Sequence, residues 1–438
     1  MPRVIAYDLA RLFIGPIFYT PRGVDRVDLA MARHVFDDDA SPNLGILPTP
    51  WGVRAFPARI VRRWLAHLQH LWAEDTDIKH DARLCGLIEQ MRVSFDAVPP
   101  ELDSARVLQP PPLSFARKAV RLLAQLQSTG IPLGESAIQA VPQGAAYLNI
   151  GQIGLAVPIF HEWLAKRQDI TCAIMLHDAI PLEYPHLVPS GAEAHHARMI
   201  QTAARYADCL IFNSEFSRKS VDSAMARLEQ VQLPGMVRAL PLPSAFFHAS
   251  TSLPDLADVH YFVVVSTIEP RKNQELLIRV WERIIDRMDT QAPHLVIVGS
   301  RGFDSDRILA PLAARPSLYR RVHVVSGLSS PALAALVLGA AGMLCPTFTE
   351  GFGLPVLEGN AMGVPTIASD IPAHREVGND NTIYLPCDND EAWEYAILST
   401  PPVGLCERPR IAHDLTETSY YTDLLAFLEH TPPLGRRS

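Results

Sequence analysis

The 438 residues contain no long apolar run, no paired cysteines and no excess of positive charge. A membrane-spanning helix needs about 20 consecutive apolar residues, and no stretch reaches that length. The six cysteines, Cys85, Cys172, Cys209, Cys345, Cys387 and Cys406, form no C-x-x-C pair. Cys172, Cys209 and Cys345 sit inside apolar strand-like runs. That suits reduced core thiols in a cytosol, not a disulfide framework or a zinc site. A net charge of -8 argues against bulk binding of nucleic acid but leaves room for local basic patches. No G-x-G-x-x-G follows a strand, and there is no P-loop and no G-x-S-x-G. Nicotinamide dehydrogenase, NTPase and α/β-hydrolase chemistry therefore lose their main support. The opening Met1-Pro2-Arg3-Val4-Ile5-Ala6-Tyr7-Asp8 meets an acid too early for a signal peptide, so the expected location is cytoplasmic.

An apolar content of 48% with 20% charged residues is enough for packed cores, and the length predicts two or three domains. Strands are expected at Val4–Tyr7, Ala146–Ile150, Thr171–Leu176 and Leu210–Phe212, with a helix over Val24–Phe36. Such near-continuous apolar strands imply a parallel sheet covered on both faces. Ser214 can cap the helix after the third of the later strands. The rhythm breaks over 54–134, read as a helical elaboration. It lapses again near Pro241–Val259, where prolines, serines and aspartates cluster as in a linker. A second series follows: strands at Tyr261–Val265, Leu295–Val298 and Val322–Val325, with a helix of 3.6-residue period capped by Asn273. The expected organisation is a first domain over 1–245, a linker over 246–259 and a second domain over 260–438, whose final helix returns to the first. The fold class is α/β, two parallel-sheet domains facing across a cleft, and such clefts are common ligand sites.

The most informative stretch is Thr349-Glu350-Gly351-Phe352-Gly353-Leu354-Pro355-Val356-Leu357-Glu358. A buried strand precedes it, ending at Leu344-Cys345-Pro346. Gly363 and Pro365 end the short helix after it. This is strand, glycine loop, helix, strand, and in open α/β sheets ligands sit at the carboxyl ends of strands. Glycines let the backbone approach a ligand, and helix N-termini attract phosphate. Two glutamates cannot both be phosphate ligands, but carboxylates accept well from hydroxyls. Amides for phosphate beside acids for hydroxyls suit a nucleotide sugar. Arg271 and Lys272 lie in the loop after the first strand of the second domain, on the same sheet edge. They oppose a helix N-terminus there, so a structural reading fits them poorly, whereas a leaving diphosphate needs such charges. His177 and Asp178 end a strand of the first domain; they read either as a satisfied core histidine with its neighbour or as a polar pair at the cleft facing a donor sugar.

Weaker signals have plainer readings. Asp388-Asn389-Asp390 resembles a D-x-D metal motif but precedes a helix, where capping explains it. Asp37-Asp38-Asp39 reads as a solvated helix end, and His195-His196 as a helix surface pair. No metal site is expected. Arg54, Arg59, Arg62 and Arg63 alternate with Phe56, Trp64, Leu65, Leu68 and Trp72, and Arg106, Arg117, Lys118 and Arg121 lie among leucines. Basic amphipathic segments with Trp can lie on anionic membranes, so 54–72 and 105–125 are candidate contacts with the inner face of the cytoplasmic membrane. A helix packed on its own sheet is the alternative.

These residues resemble glycosyltransferase family 4, the retaining group with the GT-B fold. Glu350 and Glu358 match its E-x7-E motif, with Gly351-Phe352-Gly353-Leu354-Pro355 between them. Asp370-Ile371-Pro372-Ala373-His374-Arg375-Glu376-Val377 is also similar. Ser266-Thr267-Ile268-Glu269-Pro270-Arg271-Lys272-Asn273 resembles a branch found among bacterial surface-polysaccharide mannosyltransferases, as do Arg22-Gly23-Val24-Asp25-Arg26-Val27 and Leu176-His177-Asp178-Ala179-Ile180-Pro181. The resemblance implies that Glu350 contacts the donor sugar near the reacting carbon and Glu358 holds the ribose. The amides of Phe352, Gly353 and Leu354 would meet sugar and phosphate oxygens, with Gly351 and Ser266 also on the donor side. Arg271 and Lys272 would hold the diphosphate, and His177 would touch the donor sugar from the first domain. Gly23, Arg26 and Asp178 would lie on the acceptor side. No cofactor is implied beyond the substrate, with GDP-mannose the first choice of donor and a lipid-linked saccharide the acceptor. A sugar-nucleotide epimerase, a phosphorylase and a non-catalytic scaffold subunit are the alternatives. Two departures stand out. Ser266-Thr267 replaces the family's Gly-Arg, so Arg271 must substitute for the diphosphate arginine. Leu242-Pro243-Ser244 replaces the usual Pro-Asn-Gly turn before the linker.

Overall fold

A computed structural model describes residues 3–18, 23–38, 40–72, 77–93, 134–241, 253–403 and 417–435. The basic run at 106–121, Cys406 and the 242–244 segment lie outside the described residues.

Two sheets organise the chain. The first contains β1 (Ile5–Asp8), β2 (Leu44–Thr49), β3 (Gly52–Pro57), β4 (Glu135–Ser136), β5 (Ala146–Asn149), β6 (Thr171–Met175), β7 (Cys209–Phe212) and β8 (Gly235–Val237). Their order is β4-β3-β2-β1-β5-β6-β7-β8. The pairs from β2 to β8 through β1 are parallel, while β3 runs antiparallel to both β2 and β4. The second sheet contains β9 (Tyr261–Val265), β10 (His294–Val298), β11 (Val322–Val325), β12 (Gly342–Cys345), β13 (Thr366–Ser369) and β14 (Thr382–Leu385). Its order is β11-β10-β9-β12-β13-β14, and every pair is parallel. The central strands β1, β5, β6, β7, β10 and β12 are buried at every position, which is why they read as unbroken apolar runs.

The segment from 54 departs from the expected helical elaboration. Arg54 and Phe56 lie on β3, the second arm of a hairpin turned at Gly52, where φ is +101°. A helix does follow at Ala58–Leu71, but its apolar face, with Val61, Trp64, Leu65 and Leu68, is buried in the protein core. Arg59 and Arg63 point to solvent, and Arg62 donates to the Asp37 carbonyl. The apolar side is therefore not free to enter a lipid surface.

One buried apolar cluster runs through both domains, from Tyr7, Leu12, Val27 and Trp64 to Leu333, Phe352 and Val356. The last helix, Glu417–His430, packs on the helix Gly23–Val35 of the first domain. Arg3 ties its end down, donating to the carbonyls of Leu428 at 2.6 Å and Thr431 at 2.9 Å. None of the described helices is long and apolar enough to cross a membrane.

Candidate active site

The carboxyl ends of the second sheet open onto a cavity of about 340 Å³, closed on the other side by the first domain. β12 leads into the loop that carries Glu350. Gly353 adopts φ +98° at the start of the helix Leu354–Ala361, a conformation that side chains with a Cβ rarely take. Pro355 falls in the first turn, where its missing N–H costs nothing. The first N–H groups of a helix have no partner within its own i to i−4 ladder, and Phe352, Gly353 and Leu354 at this helix start line the cavity. Gly363, with φ +69°, closes the helix before β13.

Two cations meet at Glu350. Arg271 donates to Oε2 at 3.1 Å, and Lys272 donates to Oε1. Arg271 also reaches Glu269 Oε1 at 2.8 Å and the Thr349 carbonyl at 2.9 Å. Burial alone pushes the Glu350 carboxyl up, but Lys272 and Arg271 outweigh it and hold the group at about 2. Burial likewise works against the charged form of Arg271, yet Glu350, Glu269 and Asp178 push its pKa above the ordinary value. All three side chains are at most 17% exposed, so solvent screens these charges little.

Glu358 has the opposite environment. It is 2% exposed, and burial raises it to about 7, with Arg26 of the first domain working to lower it. His177 is 6% exposed. Its Nε2 lies 3.0 Å from the Ile150 carbonyl, which fixes a proton there. Its Nδ1 is buried and has no hydrogen-bond partner among the described residues. Burial, helped by Arg11, lowers its pKa to about 4, so the ring is neutral near pH 7.

The structure brings the candidate catalytic, donor-side and acceptor-side residues to this one cavity. Glu350, Glu358, Arg271, Lys272, Ser266, Gly351, Phe352, Gly353 and Leu354 line it from the second domain, and His177, Asp178, Gly23 and Arg26 from the first. The arrangement differs from the expected one in a single respect. Arg271 and Lys272 grip the Glu350 carboxylate, which puts acid and cations in direct contact instead of on separate parts of a ligand. Gly23 also approaches the helix Leu354–Ala361 closely: a Cβ there would lie 2.8 Å from Leu354 Cδ2.

Several lining residues escaped the sequence reading: Glu269, Asn213, Gly299, Ser300, Gly327 and Leu328. Gly299 and Gly327 follow the ends of β10 and β11 by one and two residues. A small residue just past a buried strand was the available signal. Gly299 has no room for a side chain, since a Cβ would sit 1.8 Å from the Ser266 carbonyl oxygen.

Other expectations resolve plainly. Asn389 accepts from the Ala392 amide at 3.0 Å and Asp390 pairs with Arg279 at 2.8 Å, so this stretch caps and braces a helix. No cluster of three metal-ligating side chains occurs among the described residues. Ser214 caps its helix as expected, accepting from the Ser217 amide. Asn273 does not cap; it takes a left-handed conformation, and its Nδ2 donates to the carbonyls of Pro346 and Cys387. His195 is exposed but His196 is buried, with Nε2 2.8 Å from the Asp178 carbonyl, so the pair is not a surface pair.

Residues 259–400 match the model of the family described as glycosyl transferases group 1. The serotype-specific mannosyltransferase WbdA of Escherichia coli is 25% identical over 228 residues, 48% of this chain and 27% of WbdA. The O-antigen chain mannosyltransferase B of E. coli is 25% identical over 51% of this chain and 59% of its own length. The O-antigen chain mannosyltransferase RfbU of Salmonella typhimurium is 30% identical over 32% of this chain and 37% of its own. The matched part of this chain thus spans less than two thirds of each of these relatives. Among solved structures, Anabaena HepE in complex with UDP and glucose aligns with 99% of this chain and 97% of its own, with a TM-score of 0.56 and 15% identity. The E. coli trehalose-6-phosphate synthase bound with UDP-2-fluoro glucose covers 97% and 95%, with a TM-score of 0.53 and 11% identity. The two parallel-sheet domains are those of a GT-B fold, and the match to the glycosyl transferases group 1 model falls on the second of them.

Proposed function

We propose that the protein is a retaining, metal-independent glycosyltransferase that moves a hexose from a nucleoside diphosphate sugar to a lipid-linked saccharide. The observation that carries this is the single cavity in which Glu350, Arg271, Lys272 and the Gly351–Leu354 turn meet Glu358 and His177. Breaking a sugar–phosphate bond builds negative charge on the leaving diphosphate. Arg271, Lys272 and the amides at the start of the helix Leu354–Ala361 are preorganised to receive it, and removing one such donor costs about 10²–10³ in rate. A diphosphate beside the two cations shares them with Glu350, whose carboxylate then serves the sugar hydroxyls. Glu358 accepts from the ribose hydroxyls. Neutral His177 offers Nδ1 as an acceptor to a sugar hydroxyl. Attack on the same face of the sugar needs no enzymic nucleophile, because the leaving phosphate takes the acceptor proton.

Mannose from GDP-mannose is the first choice of donor. The similarity of this chain to O-antigen mannosyltransferases supports it, as it supports a role in O-antigen or exopolysaccharide synthesis. A lipid-linked acceptor would place the enzyme on the cytoplasmic face of a membrane. The test is a thermal-shift panel of nucleoside diphosphates and their sugars, without added metal. A ligand that binds the folded chain raises its melting temperature by mass action. The expected result is a shift with one nucleoside diphosphate and its sugar, and GDP-mannose turnover lost in Glu350→Ala. No shift with any of them, or wild-type turnover by Glu350→Ala, removes the proposal.

A further inference from the structure

We propose that Glu376 is a positioning residue that docks the two domains and so fixes the turn carrying Glu350. The inference rests on the transfer reaction above and adds to it the device that assembles the site.

Glu376 belongs to the second domain, in the short helix Pro372–Val377. Its carboxylate sits on the N-terminus of the first domain's helix Glu215–Arg227. Oε2 accepts from the Glu215 amide at 2.8 Å, and Oε1 from the Phe216 amide at 2.7 Å. These are the first two amides of a 13-residue helix, which have no intrahelical acceptor and carry the positive end of its dipole. The third amide, of Ser217, is taken by the Ser214 hydroxyl oxygen at 2.8 Å. One side chain from each domain thus satisfies the helix start. The neighbouring charges on both sides pair elsewhere. Arg375 is bound to Asp370 at 2.7 Å, and the Glu215 carboxylate to Arg218 at 2.8 Å.

The same helix start holds the glycine turn. Ser214 Oγ donates to the Gly351 carbonyl at 2.6 Å. Ser217 Oγ lies 2.7 Å from that oxygen and 2.6 Å from the His177 carbonyl, and its one hydrogen serves either. Gly351 packs so tightly on β6's end that a Cβ would lie 2.3 Å from the His177 oxygen. From behind, His374, two residues before Glu376, packs on Gly353, where a Cβ would be 3.0 Å from its ring. The backbone on either side of the Glu350 turn is therefore set by two surfaces, and Glu376 joins them. Both amides and the carboxylate are solvent-accessible, so water can replace the contact when the domains part. A docking contact of this kind forms and breaks without leaving a buried charge unpaired.

The test uses the full chain with spin labels at Gln201 and Gln291, exposed positions in the first and second domains. In Glu376→Ala the interdomain distance distribution is expected to broaden and lengthen relative to the parent. In turnover of GDP-mannose, kcat is expected to fall by about tenfold or more while KM for the donor stays within about twofold, because donor groups on the second domain are untouched. Glu376→Gln, which retains one accepting oxygen, is expected between the two. Ser214→Ala attacks the seam from the other domain and is expected to lower kcat likewise. Since Glu376 is exposed, its loss leaves the core intact. An unchanged distance distribution, or wild-type kcat in Glu376→Ala, overturns the proposal. The distance measurement needs no substrate. If wild type turns over no nucleotide sugar, the transfer reaction falls and the docking claim is still decided.

Discussion

Glu350 and Glu358 stand eight positions apart and are driven to opposite ends of the carboxylate range. Glu350, gripped by Lys272 and Arg271, is held at about 2. Its folded value lies below the ordinary 4.5, so it adds stability above about pH 5 that is lost as pH falls through about 2. Glu358, buried with only Arg26 to favour its charge, is raised to about 7. Its contribution has the other sign: it is fully present below the ordinary value and is lost as pH rises through about 7. In the proposed donor complex, ribose hydroxyls donating to Glu358 would favour its ionised form, so binding would release a proton below pH 7. Affinity for GDP-mannose is therefore expected to weaken on acidification from pH 8 to 5.5, by at most about tenfold per unit. Glu358→Gln is expected to bind more weakly and with a flat profile. His177, at about 4, adds no slope in this range. Titration calorimetry across pH checks it, with the nucleotide sugar as probe because its diphosphate has no second ionisation near neutrality.

At the scale of elements, the glycine turn is the decisive piece, and its two glycines serve different ends. Gly353 supplies a left-handed φ that starts the helix Leu354–Ala361. Gly351 supplies a close approach to the first domain. Gly351→Ala must push the turn off the His177 carbonyl, and overpacking against backbone costs roughly 1–3 kcal/mol. The expected outcome is a melting temperature lowered by a few degrees and a loss of about 10² in kcat, since Glu350 moves with the turn. Steady-state kinetics beside a thermal melt measures both. The strand–turn–helix order around Glu350 was legible because buried parallel strands write continuous apolar runs that end in glycine or a polar pair. β9 and β11 begin and end where those runs do. The hairpin of β2 and β3 was not legible. Its arms are short and partly exposed, and β3 runs through Pro57 directly into an amphipathic helix, so helical spacing masked it. Partners were equally hidden. Arg271 and Lys272 meet Glu350 across 79 and 78 residues, a pairing that only the shared sheet edge implies.

On the scale of the whole molecule, the first domain reaches the second at a further place, through a segment the sequence left as elaboration. Asp81 caps the helix Ala82–Arg92 with Oδ1, which accepts from the Arg83 and Leu84 amides at 3.1 Å. Its Oδ2 crosses to the second domain and accepts from the Ser329 amide at 2.9 Å. Arg83 donates to the Ser326 carbonyl, and its guanidinium closes over Gly327, where φ is +73°. Gly327 and Leu328 line the cavity, so this clasp shapes one wall of it. The two oxygens of Asp81 can be separated by substitution. Asp81→Ala removes both roles and is expected to cost about 1 kcal/mol as a lost cap alone, with the buried Ser329 amide adding to it. Asp81→Asn can keep its carbonyl oxygen on the helix amides, but it then turns an N–H group toward the Ser329 N–H. The expected result is a helix start close to wild type in stability and a nucleotide affinity several-fold weaker, because the 326–329 loop is no longer held. If Asp81→Asn binds nucleotide as well as the parent while Asp81→Ala does not, the defect lies in the cap, and the crossing to Ser329 does not shape the cavity.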